Sequence, residues 1–91
     1  MYQPVTTNRF DKDLKKASRR GKDLLKIKKI MLALTAGESL PARNKDHNLI
    51  GNYANRRECH IEPDWLLIYK LDEDNMEIIF ERTGTHSDLF R

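Results

Sequence analysis

The apolar positions along this chain change period partway through. "MYQPVTT" opens as a short extended run, and Pro4 within it marks an edge strand, where a missing N–H costs no ladder bond. From residue 8 the spacing lengthens. Phe10, Leu14 and Ala17 recur at i, i+4 and i+7, the buried face of a helix that Thr7 or Asn8 caps and Gly21 stops. Leu24, Ile27, Met31 and Leu34 form the stripe of a second helix, from about Asp23 to Ala36, which Gly37 ends. "ESLPARNKDHNLIGN" then reads as a loop rich in turn residues. After it the period falls to two. In "RRECHIE", Arg57, Cys59 and Ile61 face one way and Arg56, Glu58 and His60 the other. "EPD" makes a turn, and "WLLIYKL" is apolar on both faces, as a central strand covered on both sides must be. "DEDN" turns again into "MEIIFER", with Met76, Ile78 and Phe80 on one side, and "THSDLF" closes as a short helical or coiled tail.

The order is strand, two helices, three strands. It predicts an α+β fold in which a helical hairpin packs on a largely antiparallel sheet, β-α-α-β-β-β. With 91 residues there is room for one core, so residues 1–91 are expected to form a single domain. A lone cysteine, Cys59, rules out an internal disulfide framework and points to a reducing, cytoplasmic setting. No run approaches the roughly 18 apolar residues of a membrane span, so no membrane partner is expected.

Charge divides the chain. Residues 1–37 hold ten Lys/Arg against three Asp, while residues 38–91 hold seven against eleven acids. The net +3 therefore conceals a basic helical section suited to a polyanion, or simply to solvent. The histidines lie in the other section: His47 and His60 in "DHNLIGNYANRRECHIEPDW", and His86 in "ERTGTHSDLF". Cys59 and His60 are neighbours on a strand and so face opposite sides, which excludes a thiol–imidazole dyad; Cys59 is expected in the core. No H-x-x-x-H pair and no complete P-loop is present, so neither metal nor cofactor is expected. Acid–base chemistry fits better, because imidazole exchanges protons near neutral pH. Cleavage of RNA by its own 2′-hydroxyl asks a protein only for a base, an acid and positive charge beside the phosphate. His47, His60 and His86 with Asp64, Arg57 and Arg82 have those chemical types.

Three blocks, "KDHNLIG", "RECHIEPDWLLIYKL" and "FERTGTHSDLF", resemble the YafQ branch of the RelE/ParE superfamily of bacterial toxins. The resemblance implies a RelE-like, microbial-ribonuclease-type fold and ribosome-dependent cleavage of messenger RNA. By motif, it makes His47, His60, Asp64, His86 and Arg82 the catalytic set. His86 would be the general acid, His47 or Asp64 would act at the 2′-hydroxyl, His60 would assist, and Arg82 would stabilise phosphorane charge. Trp65, Phe90, Arg57 and Tyr53 become substrate-binding candidates. Lys12, Lys15, Lys16, Arg19, Arg20 and Lys28 become candidates for ribosomal RNA. The implied partners are an antitoxin of the DinJ type, the ribosome and messenger RNA. A non-catalytic, ParE-like toxin on the same scaffold is the alternative.

Overall fold

The computed structural model describes residues 1–90. Strand β1 (Gln3–Thr6) leads into helices α1 (Asn8–Arg19) and α2 (Leu24–Thr35). A two-residue strand β2 (His47–Asn48) lies between two 3-10 turns, Ala42–Asn44 and Gly51–Tyr53. Strands β3 (Arg57–Glu62), β4 (Trp65–Asp72) and β5 (Glu77–Gly84) follow, and one turn of helix, α3 (His86–Leu89), ends the described chain. The sheet order is β1-β5-β4-β3-β2, antiparallel throughout except for the parallel β1–β5 edge. This is the α+β, largely antiparallel architecture that the change of period predicted.

Local chemistry accounts for the helix ends. Thr7 caps α1 by accepting from the Phe10 N–H at 3.0 Å, and Asp23 caps α2 by accepting from Leu25 N–H at 3.0 Å. At the far end of α1, Gly21 takes φ +84° and lets Lys22 N–H reach the Ala17 carbonyl, the six-to-one closure of a glycine-terminated helix. Both helices cover one face of the sheet. Phe10, Ala17, Ile27 and Leu34 pack there against Cys59, Trp65, Leu67, Tyr69, Ile78 and Phe80. On the opposite face Leu66 and Ile68 are sealed by Leu89 of α3 together with Leu49 and Tyr53. Among the described residues, no helix is long and apolar enough to cross a membrane.

Three expectations need correction. Leu24 does not join the buried stripe of α2; it lies exposed in the first turn, and Ile30 and Met31 share the stripe with Ile27 and Leu34. Met76 does not continue the face of Ile78 and Phe80, because it sits in the turn before β5 with φ +51° and is exposed. The stretch read as a loop contains β2, which pairs His47 with Glu58 and Asn48 with Arg57. A fourth feature is a bulge: Tyr69 pairs with Phe80 and Ile68 with Arg82, leaving Glu81 as an extra residue in β5.

Candidate active site

Residues directly opposite across a ladder share a face. His47 faces Glu58, Glu58 faces Ile68, and Ile68 faces Arg82, while His60 faces Leu66 and Leu66 faces Gly84. His47, Glu58, His60 and Arg82 therefore lie on the face that α3 covers at one end. The Glu81 bulge decides this for Arg82. Plain alternation from Phe80 would have turned it toward α1 and α2, whereas the extra residue gives that direction to Thr83. Thr83 is buried, accepts from Trp65 Nε1 at 3.0 Å and donates to the Leu66 carbonyl at 2.6 Å. Arg56 anchors the extra residue, its Nε 2.7 Å from the Glu81 carboxylate.

His86 arrives by a different route. Thr85 caps α3 and forms a reciprocal box with Asp88, each residue's side chain accepting from the other's backbone N–H, at 2.9 and 3.1 Å. Arg20 of α1 donates to both Asp88 oxygens, at 2.7 and 3.3 Å, and Lys16 lies 3.4 Å from one. Arg20, the box and Lys16 together hold the Asp88 carboxyl well below the usual carboxylate range. The turn so fixed sets the His86 ring 5.8 Å from that of His60.

Asp64, in the turn between β3 and β4, accepts from the His86 backbone N–H at 2.9 Å and from Nδ1 at 2.8 Å. These two bonds, the backbone one first, hold its carboxyl below the usual range. With Nδ1 engaged, Nε2 is the His86 nitrogen left for proton exchange, on a side chain 56% exposed. His60 Nδ1 lies 3.2 Å from the Pro63 carbonyl and its Nε2 3.4 Å from Glu58. His47 Nδ1 lies 2.6 Å from the Lys45 carbonyl and its Nε2 3.6 Å from the same Glu58 oxygen. Glu58 is thus a carboxylate only 6% exposed, set between two imidazoles. The sequence reading did not select it, although strand parity had already placed it on the face of His60.

The structure brings His47, His60, Asp64 and His86 together, and Glu58 with them. It also gathers a possible ligand set that linear spacing had hidden: donor atoms of Glu58, His60 and His86 lie within 4.8 Å of one another. Phe90 stands beside this group, 6.3 Å from the His86 ring and edge-on to Tyr53 at 5.3 Å. With Ile50, Asn52 and Leu89 these aromatics line an open hollow.

Two expected residues lie elsewhere, and a third is engaged by another partner. Trp65 is 2% exposed within the core between sheet and helices, so it offers no stacking surface. Arg57 faces the other side of the sheet, opposite Tyr69, and contacts Asp46 and Asn48. Arg82 is on the correct face, but Asp13 of α1 engages its guanidinium at 2.7 and 3.2 Å. Of the six expected ribosome contacts, Lys12, Lys15, Arg19 and Lys28 are exposed, whereas Lys16 and Arg20 serve Asp88.

The chain as a whole is similar to known proteins. Residues 2–91 match the family model for the bacterial toxin YafQ of type II toxin–antitoxin systems. The mRNA interferase toxin YafQ of Escherichia coli K12 is 46% identical over 85 residues, covering 92% of this chain and 90% of that protein. The toxin in a crystal structure of the E. coli DinJ–YafQ complex superposes with a TM-score of 0.90 at 42% identity, over the whole of both chains. A metal-bound toxin from Helicobacter pylori gives a TM-score of 0.93 at 38% identity, covering 99% of this chain and all of that one.

Proposed function

The chain belongs to the YafQ family of type II toxin–antitoxin toxins, and from that premise we propose that it is an endoribonuclease that cuts messenger RNA on the ribosome. A DinJ-like antitoxin is its proposed partner, by analogy with the E. coli complex. The observation that carries the reading is the pairing of His86 with Asp64 beside His60, next to an aromatic hollow able to hold a base.

In the proposed reaction the RNA 2′-oxygen attacks the adjacent phosphorus, and the bond to the departing 5′-oxygen breaks. A 2′,3′-cyclic phosphate and a free 5′-hydroxyl result. His47 takes the 2′-hydroxyl proton, with Glu58 between it and His60 to offset the charge gained. His86 gives its Nε2 proton to the leaving oxygen, while Asp64 fixes the ring and offsets its charge in the protonated form. Each such group typically contributes about 10²–10⁴-fold in rate. Arg82 reaches the phosphate by exchanging Asp13 for a substrate oxygen. Tyr53 and Phe90 hold a neighbouring base. Lys12, Lys15, Arg19 and Lys28 meet ribosomal phosphates, which give affinity without reading sequence. Glu58, His60 and His86 fit a divalent cation in donor type, but no step of this reaction needs one.

The test is end-mapping of a defined messenger RNA in a bacterial translation extract, with parent protein and His86→Ala, beside the same RNA without ribosomes. Codon-phased cuts that need ribosomes and vanish in the variant are expected. Equal cutting of naked RNA would overturn the ribosome dependence. Absence of cutting by folded parent protein would favour the non-catalytic, ParE-like reading.

A further inference from the structure

We infer that Arg57 and Tyr69, on the face of the sheet away from the histidines, are positioning residues that fix His47 for catalysis. This rests on the proposed nuclease reading. His47 has an unpromising support: β2 is two exposed residues at the sheet edge, paired only to β3. So short an edge strand has little stability of its own. The segment entering it is also strained, since Lys45 sits at φ +48°, a left-handed conformation unfavourable for a non-glycine residue. Something else must hold it.

The neighbours of His47 supply the hold. Asp46 accepts from the Tyr69 hydroxyl at 2.6 Å and from Arg57 Nε at 3.3 Å. Asn48 accepts from Arg57 Nη1 at 2.8 Å. One guanidinium thus grips the residues on both sides of His47, and the fully buried Tyr69 ties the grip to the core. Strand alternation does the rest. With Asp46 and Asn48 drawn to the helix-side face, His47 must project to the other, where its Nε2 meets Glu58. The Lys45 carbonyl, 2.6 Å from Nδ1, then sets the ring's rotation. Burial, and next the Asp46 bond, push the Tyr69 phenol up, so it remains a donor across the working pH range. Arg57 is accordingly not a substrate contact. It acts through His47.

Two substitutions release the grip without opening the core: Tyr69→Phe, which removes one hydroxyl, and Asn48→Ala, at an exposed edge position. Each is measured by single-turnover cleavage on programmed ribosomes, in the parent and in a His47→Ala background, with His-ring NMR spectra of the free protein. The expected result is a maximal single-turnover rate about ten- to hundred-fold lower with the half-saturating concentration little changed, the scale of a roughly 1 Å misplacement. In the His47→Ala background neither substitution should lower the rate further. The His47 ring resonances should move while those of His86 stay. Parent-like rates, or equal losses with and without His47, would overturn the inference. So would unmoved His47 resonances. If the parent protein itself fails to cleave, the nuclease reading falls, and the NMR comparison alone decides whether the grip on His47 exists.

Discussion

Asp88→Asn removes one charge while keeping the side chain's shape, and the structure gives its consequences a size. The carboxylate completes the capping box of α3 and accepts the Arg20 fork, and its side chain is only 15% exposed. The Thr85 N–H and Arg20 Nη1 both donate to Oδ2, so an asparagine that keeps its oxygen there weakens those bonds by losing the charge and turns its NH₂ toward Arg20 Nη2 and Lys16. Weakening the cap costs part of the ~0.5–2 kcal/mol of a lost cap bond, and the lost charge-assisted bond costs about 1.5–3 before solvent screening. Arg20 and Lys16 are about half exposed, so screening reduces their share. A net loss of about 1.5–2 kcal/mol is expected, which for a domain of this size lowers Tm by roughly 6–15 °C. Activity should fall as well. A four-residue helix cannot persist unaided, and α3 presents His86. If its cap frays, His86 loses the register that places its N–H and Nδ1 on Asp64.

The pH dependence provides a sharper check. The folded-state pKa of Asp88 lies below its unfolded value, so the carboxylate stabilises the fold fully above pH ~4 and loses that contribution as pH falls toward the folded value. Thermal melts of parent and variant should therefore differ most at pH 7, and the gap should begin to narrow only below pH ~4 and go on narrowing through pH 3. Equal melting at pH 7, or a gap that stays unchanged at pH 3, would refute the assignment. So would full ribosome-dependent cleavage by a destabilised variant, which would mean that His86 needs no tether.

Other outcomes follow from the same contacts. Burial first, then the Asp46 and Glu58 charges, push the Cys59 thiol up to about 12, so iodoacetamide should label the protein only after unfolding. Rapid labelling of folded protein would contradict this. A Cβ at Gly84 would stand 2.9 Å from an Asp88 oxygen and 3.0 Å from the Asp88 Cβ, so Gly84→Ala should cost about 1–3 kcal/mol in a urea melt and much less in an Asp88→Gly background, which removes both atoms. Equal costs in both backgrounds would separate Gly84 from the cap. Toxin stripped of metal by chelation and desalted before it meets the ribosomes should cleave as fast as untreated toxin; activity lost on stripping and restored by returning a transition-metal ion to the toxin would refute a purely acid–base mechanism.

The sequence made the fold legible wherever a period ran long enough. Phe10 and Ala17, and Ile27 and Leu34, are buried at the helical spacing that predicted them, and Trp65–Tyr69 is buried on both faces of β4. Breaks in period were not legible. Glu81 inserts one residue into β5, and nothing in "IIFERTG" announces which position will be extra, so the face of Arg82 could not be read. β2 is too short to alternate visibly, and its pairing depends on β3 rather than on its own residues. Of the site, residue types were legible and faces only in part. Parity places Cys59 and His60 on opposite sides, as found, and the same parity offered Glu58. It also separated Arg57 from His60, although chemical type alone had placed them together.

The two ways of presenting a histidine explain why Asp88 matters more than its distance from any ring suggests. A side chain on a strand is positioned by its neighbours, because alternation sends them to the opposite face, where packing can hold them. His60 stands between fully buried Cys59 and Ile61, which packs on the core; Glu58 stands between Arg57 and Cys59; His47 stands between Asp46 and Asn48. For these groups the sheet's far face is the support, and removing the Tyr69 hydroxyl should disturb only one of them. His86 has no such neighbours, because it belongs to a single helical turn beyond the end of β5. Its support comes from Leu89, packed on Leu66 and Ile68, and from Thr85, Asp88, Arg20 and Asp64, polar groups nearer solvent than the core. Ion-pair support of that kind yields to pH and salt, whereas packed strands do not. The position of His86 should therefore be lost before that of His60 as acid or salt weakens the fold, whereas His47, whose hold includes the Arg57–Asp46 ion pair, shares the sensitivity of His86. Ring NMR of all three histidines during a salt titration would show this ordering; simultaneous loss would mean that α3 is held by Leu89 packing alone.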